Sequence, residues 1–228
     1  MNKKQFKISK DKEHIEKGIN MLENNLSLPS DKNIKYIDIN AFESYCNIQE
    51  IIIPENIIDI NYGAFQFCKN LEKVTILSKD MNFGDAVFTY CLKLKDINLP
   101  ENLNIITPRL FAGCENLTEI KIPKSVTQIS QLSFSSSGIK KIIIPENVLC
   151  IKGRAFEDCK NLTEITFLNP LTQIKKNVFM ECNKIKKIRY NGSLSDLYLS
   201  SLYTYISNNK NQFKNIEVEL MKEDEIIE

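Results

Sequence analysis

Residues 110–129 read LFAGCENLTEIKIPKSVTQI, and this arrangement of apolar residues, cysteine and proline returns along most of the chain. Five cysteines each follow a phenylalanine by three residues, and Tyr45 and Ser137 take that place in two other copies. The recurring phenylalanines, separated by 22 or 23 residues, are Phe42, Phe65, Phe88, Phe111, Phe134, Phe156 and Phe179. The cysteines are Cys68, Cys91, Cys114, Cys159 and Cys182. Such a period predicts a repeat architecture in which each copy packs on the next.

Each unit contains the pattern Leu-x-x-Ile-x-Ile-Pro, as in Leu117, Ile120, Ile122 and Pro123. The last two apolar positions alternate, which is typical of a strand with one buried face. Proline lacks the N–H that a strand ladder needs, so we expect the strand to end there. A second apolar pair follows on a returning limb. Stacked units then place equivalent residues about 4.8 Å apart, with phenylalanines and cysteines in buried columns.

The segments AFQFCKNLEKVTI at 64–76 and AFEDCKNLTEITF at 155–167 resemble the BspA-like (Treponema-type) leucine-rich repeat family. The resemblance covers about residues 25–190. It implies a β-rich leucine-rich-repeat solenoid: a right-handed coil of 23-residue repeats with a parallel sheet on its concave side. Many members of the family are secreted or surface proteins that bind host or matrix proteins. Leu77 and Leu168 depart from the pattern by replacing the proline that ends the strand.

We expect one domain with short helical or strand caps at both ends, because a solenoid must cover its terminal apolar faces. The caps span residues 1–24 and 191–228, the second ending in an acidic tail. Between them, residues 25–190 hold about seven repeats and a partial first one. Ile15, Ile19 and Leu22 share one face of a short helix that Asp11 would cap.

The C-terminal cap carries two patterns. Apolar residues between Leu194 and Ile206 predict an amphipathic helix. Ile216, Val218 and Leu220 alternate like a last strand laid on the stack.

Catalytic and metal-binding constellations are missing from the sequence. His14 is the single histidine, and we expect it at the surface without a partner. The repeat cysteines face the core in one column, where they pack as small apolar residues rather than surrounding a metal ion. We therefore predict no enzymatic activity, no cofactor and no metal. The odd number of cysteines, seven, favours free thiols in a reducing compartment.

The charge balance and the N-terminus bear on partners and location. Thirty Lys+Arg against 29 Asp+Glu argue against a protein held on nucleic acid by bulk charge. The N-terminus has no apolar segment typical of a signal peptide, and no stretch is long and apolar enough to span a membrane. We therefore expect a cytoplasmic protein that does not bind membranes.

The candidate site is the concave face, where residues flanking the central isoleucine of each strand point outward. Neighbouring charges there are mostly opposite in sign, while Ile52 and Ile143 are exposed apolar residues. Lys187 and Arg189 give the last strand the strongest field of one sign. The candidate partner-binding residues are Glu50, Ile52, Lys73, Asp96, Asn98, Glu119, Lys121, Lys141, Ile143, Glu164, Lys187 and Arg189.

Three functional hypotheses follow. The first is a non-enzymatic module whose concave face binds another protein, as an intracellular adaptor or inhibitor. The second, which the family resemblance implies, is a surface or secreted adhesin. The third is binding of nucleic acid, a ribonucleoprotein or an anionic ligand at the basic C-terminal end of the solenoid, where Lys175, Lys176, Lys184 and Lys186 add to the charge of Lys187 and Arg189.

Overall fold

Nearly every repeat places one strand on each of two sides of a coil. The computed structural model describes residues 6–19 and 24–221. Two helices lie near the C-terminus, α1 (Leu194–Leu199) and α2 (Ser201–Asn208). The strands in the described residues are β1 (Phe6–Ile8), β2 (His14–Gly18), β3 (Asn25–Ser27), β4 (Tyr36–Ile37), β5 (Glu50–Ile53), β6 (Asp59–Ile60), β7 (Lys73–Ile76), β8 (Asn82–Phe83), β9 (Asp96–Ile97), β10 (Ile105–Ile106), β11 (Gln128–Ile129), β12 (Lys141–Ile144), β13 (Cys150–Ile151), β14 (Glu164–Phe167), β15 (Gln173–Ile174), β16 (Lys187–Tyr190) and β17 (Glu217–Leu220).

The strands of the Leu-x-x-Ile-x-Ile pattern form two parallel sheets in the orders β3-β5-β7-β9 and β12-β14-β16-β17. The strands of the returning limb form two more sheets, in the orders β1-β2-β4-β6-β8 and β10-β11-β13-β15. These are also parallel, except that β1 of the N-terminal cap is antiparallel to β2. Strand partners in successive full repeats are 22 or 23 residues apart, as in the pairs Gln128 with Cys150 and Ile51 with Val74. In the partial first repeat, β3 pairs with residues 25 positions later in β5. The predicted parallel-sheet solenoid is therefore confirmed.

The core contains the two predicted columns. All seven repeat phenylalanines are fully buried, and neighbouring rings stack with centroids 4.9–5.9 Å apart. Each repeat cysteine donates its Sγ–H to the carbonyl oxygen of the phenylalanine in an earlier repeat, at 2.8–3.2 Å. The cysteine thus packs as an apolar side chain and also gives a buried carbonyl a hydrogen-bond donor.

The corner around each phenylalanine has a repeated backbone geometry. The residues two before and two after every repeat phenylalanine have φ between 54° and 72°. Only Gly63 and Gly113 of these fourteen residues are glycines, so twelve other side chains sit in the left-handed region. None of the fourteen is β-branched, which fits the steric cost of that region.

The residue after each long strand decides where the following turn begins. Pro54 has no N–H, and its carbonyl accepts the N–H of Ile57 in the turn that follows. Leu77 and Leu168 stand at the equivalent position, and their N–H groups extend the ladder by bonding the carbonyls of Ile53 and Ile144 at 3.0 Å.

This extra ladder bond delays the turn by one residue. The buried position then falls on Met81 and Thr172, while Asp80 and Leu171 turn to solvent. Leu171 is 80% exposed for this reason. The two missing prolines therefore change which side chain enters the core.

The sheet of long strands is interrupted in the middle, where the periodicity predicts a strand around Ile120. Residues 118–123 form no strand, and the returning limb also breaks, between β8 and β10. The following coil is one residue short, and it brings Gly138 so close to Glu115 that an added Cβ would lie 2.0 Å from the Glu115 carbonyl oxygen. The shortened coil therefore coincides with an interruption of the ladder at its neighbour, and each side of the solenoid carries two sheets rather than one.

The N-terminal cap is a β-hairpin, so the predicted helix is wrong. β1 and β2 pair antiparallel, and Ile15 lies in register with Ile37 of the first full turn. Asp11 lies in the hairpin turn, where it accepts the N–H of Glu13, and does not cap a helix. The repeat column outcompetes helical periodicity because Ile15 gains complete burial there. Leu22 lies outside the described residues.

The C-terminal cap follows its predictions more closely. The predicted helix forms as α1 and α2, separated by Ser200, whose side chain caps α2 by accepting the N–H of Tyr203. Leu202 and Tyr205 are buried against the last repeat. β17 lies parallel to β16 with Val218 opposite Ile188, as the alternation predicts.

Candidate functional site

The long-strand face is the surface formed by the outward side chains of β3, β5, β7, β9, β12, β14, β16 and β17 and of residues 118–122. Its first column, one residue before each central apolar position, contains Glu50, Lys73, Asp96, Glu119, Lys141, Glu164 and Lys187. Its second column contains Ile52, Thr75, Asn98, Lys121, Ile143, Thr166 and Arg189. The strand registers place Glu50 beside Lys73 and Lys141 beside Glu164, as the repeat spacing predicts.

Opposite charges on this face neutralise one another across strands. Lys73 pairs with Asp96 at 3.3 Å, and Lys141 pairs with Glu164 at 2.8 Å. Three of these four side chains are exposed and Glu164 is half-buried. Ion pairs at the surface contribute about 0.2–1 kcal/mol each. The first column is therefore mainly a solvated, self-neutralising surface.

The second column contains the exposed apolar side chains. Ile52 is 45% exposed and Ile143 is 57% exposed, each in the middle of a regular strand. Thr166 is 8% exposed although it belongs to the same outward column, and it lies in register between Ile143 and Arg189. Ile143 is thus the more exposed of the two isoleucines.

Asn98 has a structural role that the repeat pattern does not predict. Its side-chain amide donates to the carbonyl of Ile76 at 2.7 Å and accepts the N–H of Ile76 at 2.9 Å. Pro100 occupies the position from which other repeats donate an N–H to this carbonyl. Asn98 therefore completes the ladder in place of the backbone, and its amide is committed to Ile76 rather than free for a partner.

The interruption of the sheet places two charged residues beside Ile143. Glu119 and Lys121 lie on the irregular segment between β9 and β12, and both are exposed. Among the described residues, Lys121 and Lys140 have no acidic partner, whereas Lys141 pairs with Glu164. We call Lys121, Lys140, Lys141 and Ile143 the central patch. It joins an exposed isoleucine to two lysines without an acidic partner, and Glu119 adjoins it.

Two cations of the expected basic end, Lys187 and Arg189, are neutralised by the following strand. Glu219 of β17 binds Lys187 at 2.7 Å and Arg189 at 3.0 Å. The hydrogen bond from Lys187 lowers the pKa of Glu219 below its ordinary value, so the carboxylate stays charged at neutral pH. The expectation of a one-signed field from Lys187 and Arg189 is therefore wrong.

The sequence carried a signal for this neutralisation. Once Val218 and Leu220 are assigned to the buried face of a last strand, Glu217 and Glu219 must project on the long-strand face. The register indeed places Lys187 beside Glu217 and Arg189 beside Glu219.

His14 is half-buried and partnered, contrary to expectation. Its Nδ1 lies 2.7 Å from a carboxylate oxygen of Asp38, and its ring stacks on Tyr36. Asp11 and Glu13 lie close enough to His14 that these three are the one group of possible metal ligands among the described residues. Both carboxylates are exposed and the Nδ1 of His14 is held by Asp38, so the contacts favour a local polar network of the hairpin.

All seven cysteines are free thiols in the structure. Cys46 is exposed and Cys150 is half-buried, while the five repeat cysteines are buried. Burial raises the pKa of Cys68 to about 12 and also raises the pKa of Cys91. These two buried thiols therefore stay protonated at neutral pH and are poor nucleophiles.

The repeated Phe-x-x-Cys corners and parallel strands invite comparison with known proteins. Residues 16–140 and 81–209 match the BspA type leucine rich repeat region in six copies. The chain belongs to this family. No curated protein sequence matches it significantly.

Several solved structures are similar to this BspA-type chain. The T. pallidum leucine rich repeat protein is 20% identical, with a TM-score of 0.65 over 97% of this chain and 99% of the other. A leucine rich cell surface protein from Faecalibacterium prausnitzii is 20% identical, with a TM-score of 0.58 over 82% of this chain and 68% of the other. At these identities the likeness establishes the fold. In the described part of the chain, neither helix has the length and apolar character needed to cross a bilayer.

Proposed function

We propose that this BspA-type protein is a non-enzymatic protein-binding module, acting as an adaptor or inhibitor, and that it holds its partner on the long-strand face. The exposure of Ile143 carries the proposal. A 57% exposed isoleucine at the centre of a four-residue strand does not help the core, and apolar side chains of this kind serve as contact anchors.

The charges around Ile143 indicate which partner surface would fit. Lys121 and Lys140 have no acidic partner in the described chain, and Lys141 forms an ion pair with Glu164. A partner that presents an apolar side chain beside carboxylates would bury Ile143 and pair these lysines. The charges would then speed encounter and fix orientation, while the apolar contact would slow dissociation.

The face is also large and rigid enough for a standard interface. On both sides of the irregular segment at 118–123, its strands are tied to their neighbours through the backbone, so binding would order little of them. A standard protein interface covers about 800 Å² on each side, which an extended solenoid face can supply.

A second candidate function, adhesion, differs in where the partner is found rather than in how it is held. The Faecalibacterium prausnitzii neighbour is described as a cell surface protein. An adhesin of this family would use the same face to bind an extracellular or host protein. The identity of the captured partner therefore separates the two functions.

A site-directed photo-crosslink tests the proposal and identifies the partner. A photoreactive amino acid at position 143 should give a discrete adduct with a protein from cells or from the surrounding medium. The same amino acid at Lys124, which is exposed in the turn between the two limbs, is the matched control. The proposal predicts that the adduct forms from position 143 and not from position 124. Adducts from position 124 alone would place the partner off the long-strand face.

A further inference from the structure

A cavity lies between the last turn of the returning limb and the C-terminal cap. Its walls are residues 174–177, which begin at the end of β15, and the inner side of α2 with Asn209 after it. Its volume is about 510 Å³. Cavities of small-molecule sites measure roughly 300–1,000 Å³, so this one has room for a small ligand.

The lining is positively charged and rich in hydrogen-bond donors. Lys175 and Lys176 stand on one wall, and Asn208 stands on the other. Within the described chain, Lys176 and the amide of Asn208 have no side-chain partner. Lys175 donates one hydrogen bond to the side-chain oxygen of Gln173. None of the described residues that line the cavity is acidic. The charge of the two lysines is therefore not neutralised locally.

The N–H of Asn177 adds a backbone donor to the same wall. In the first four full repeats, the N–H two residues before the phenylalanine donates to a carbonyl of the next repeat, as Asn40 does to Tyr62. The equivalent N–H groups of Leu132 and Arg154 have no such acceptor among the described residues. Asn177 is the equivalent residue of the last repeat, with φ at 60°, and no repeat follows it. Its N–H has no acceptor among the described residues, and Asn177 lines the cavity.

We propose that this cavity binds a phosphate group carried by a small molecule. Two ammonium groups, a free backbone N–H and a side-chain amide on facing walls suit an anion with several oxygen acceptors. A single carboxylate would use fewer of these donors than a tetrahedral dianion does. The site is on the opposite limb from the central patch, and it does not depend on the proposed protein-binding function.

Titration with inorganic phosphate, followed by backbone amide NMR of the full chain, tests this proposal. We expect saturable shifts centred on Asn177 and Asn208, with sodium chloride at equal ionic strength giving none. The variant K175Q/K176Q should bind phosphate about tenfold or more weakly. Asn208→Asp, which adds a carboxylate to the other wall, should weaken binding to a similar degree.

The double variant K184Q/K186Q is the matched control, because it removes the same charge from exposed lysines on the long-strand side of the same repeat. It should change phosphate affinity by less than about twofold. A titration with sulfate in place of phosphate tests whether the site binds tetrahedral dianions in general. Equal weakening by both double variants, or phosphate shifts that do not saturate, would overturn the proposal.

Discussion

The hydroxyl oxygen of Tyr205 accepts the backbone N–H of Phe179 at 3.0 Å. Each of the six earlier repeat phenylalanines donates the same N–H to a carbonyl of the following repeat. The cap helix thus supplies a side-chain acceptor where the repeats end. Gln212 complements it by donating to the carbonyl of Phe179 at 2.6 Å.

Replacing Tyr205 with phenylalanine should therefore destabilise the C-terminal end. The buried N–H of Phe179 would lose its acceptor, which costs about 1–3 kcal/mol. Urea unfolding followed by circular dichroism measures the loss. Tyr203→Phe is the control, since Tyr203 lies on the exposed side of the same helix and should behave like wild type. Equal stability of the two variants would show that the Tyr205 bond does not hold the cap.

Removing one ring from the phenylalanine column should affect more than total stability. Phe111 is fully buried between Phe88 and Phe134, and Phe111→Ala should cost about 3–5 kcal/mol. Because each repeat contacts only its neighbours, we also expect the thermal transition to separate into two. Leu149→Ala, at an exposed site, should shift stability by no more than about 0.5 kcal/mol. A single transition at the wild-type temperature for Phe111→Ala would mean that the ring column does not couple the repeats.

The left-handed corner residues allow stabilisation by glycine. Ser44 has φ at 61° and an exposed side chain, so Ser44→Gly should relieve backbone strain. The gain should be about 0.5–1 kcal/mol, since a non-glycine residue pays about 1–2 kcal/mol there and glycine loses some of that in chain entropy. Ser44→Val should destabilise. Glu43→Gly, one residue earlier and outside the left-handed region, should lower the urea midpoint, and a gain there would contradict the assignment.

The buried thiols predict a loss of stability at alkaline pH. The pKa of Cys68 is raised to about 12 in the folded protein, against 9.0 for an ordinary cysteine. Below pH 9 the Cys68 thiol is protonated in both the folded and the unfolded protein, so its burial does not reduce the stability of the fold. As the pH rises from 9 toward 12, the unfolded thiol ionises first, which favours unfolding. The urea midpoint should fall over this range, and less steeply for Cys68→Ser. An identical pH dependence of both proteins would contradict the burial of this thiol.

The repeats were predictable because the spacing within one unit indicates its strand, and the fixed period indicates which residues of neighbouring units stack. Phe111 and Cys114 recur at a fixed interval, and stacking alone then places them in columns. The hairpin of the N-terminal cap was not predictable in this way. Ile15 fits a helical pattern with Ile19, yet pairing with Ile37 buries Ile15 completely in the sheet column.

The sequence predicts which side chains point outward on the candidate site, but not the hydrogen bonds or the strand interruption found there. Alternation along the strands places Ile143 outward, and the structure confirms its exposure. The commitment of Asn98 to Ile76 depends on Pro100 lacking an N–H in the neighbouring ladder, which a reading of one repeat at a time does not reveal. The interruption near Glu119 depends on a residue missing from the next coil, at Gly138.

The central claim is that the central patch binds a partner protein. Its most direct test is the dissociation constant of the partner crosslinked at position 143, measured for Ile143→Asp combined with Lys121→Glu. Both side chains are exposed, so circular dichroism should be unchanged. The variant replaces the apolar anchor with a carboxylate and reverses the neighbouring positive charge. We therefore predict that binding weakens about 100-fold. Lys124→Glu, in the turn before the returning limb, should leave the constant within about twofold of wild type. Unchanged binding by the central-patch variant, with loss of binding by Lys124→Glu, would contradict the account.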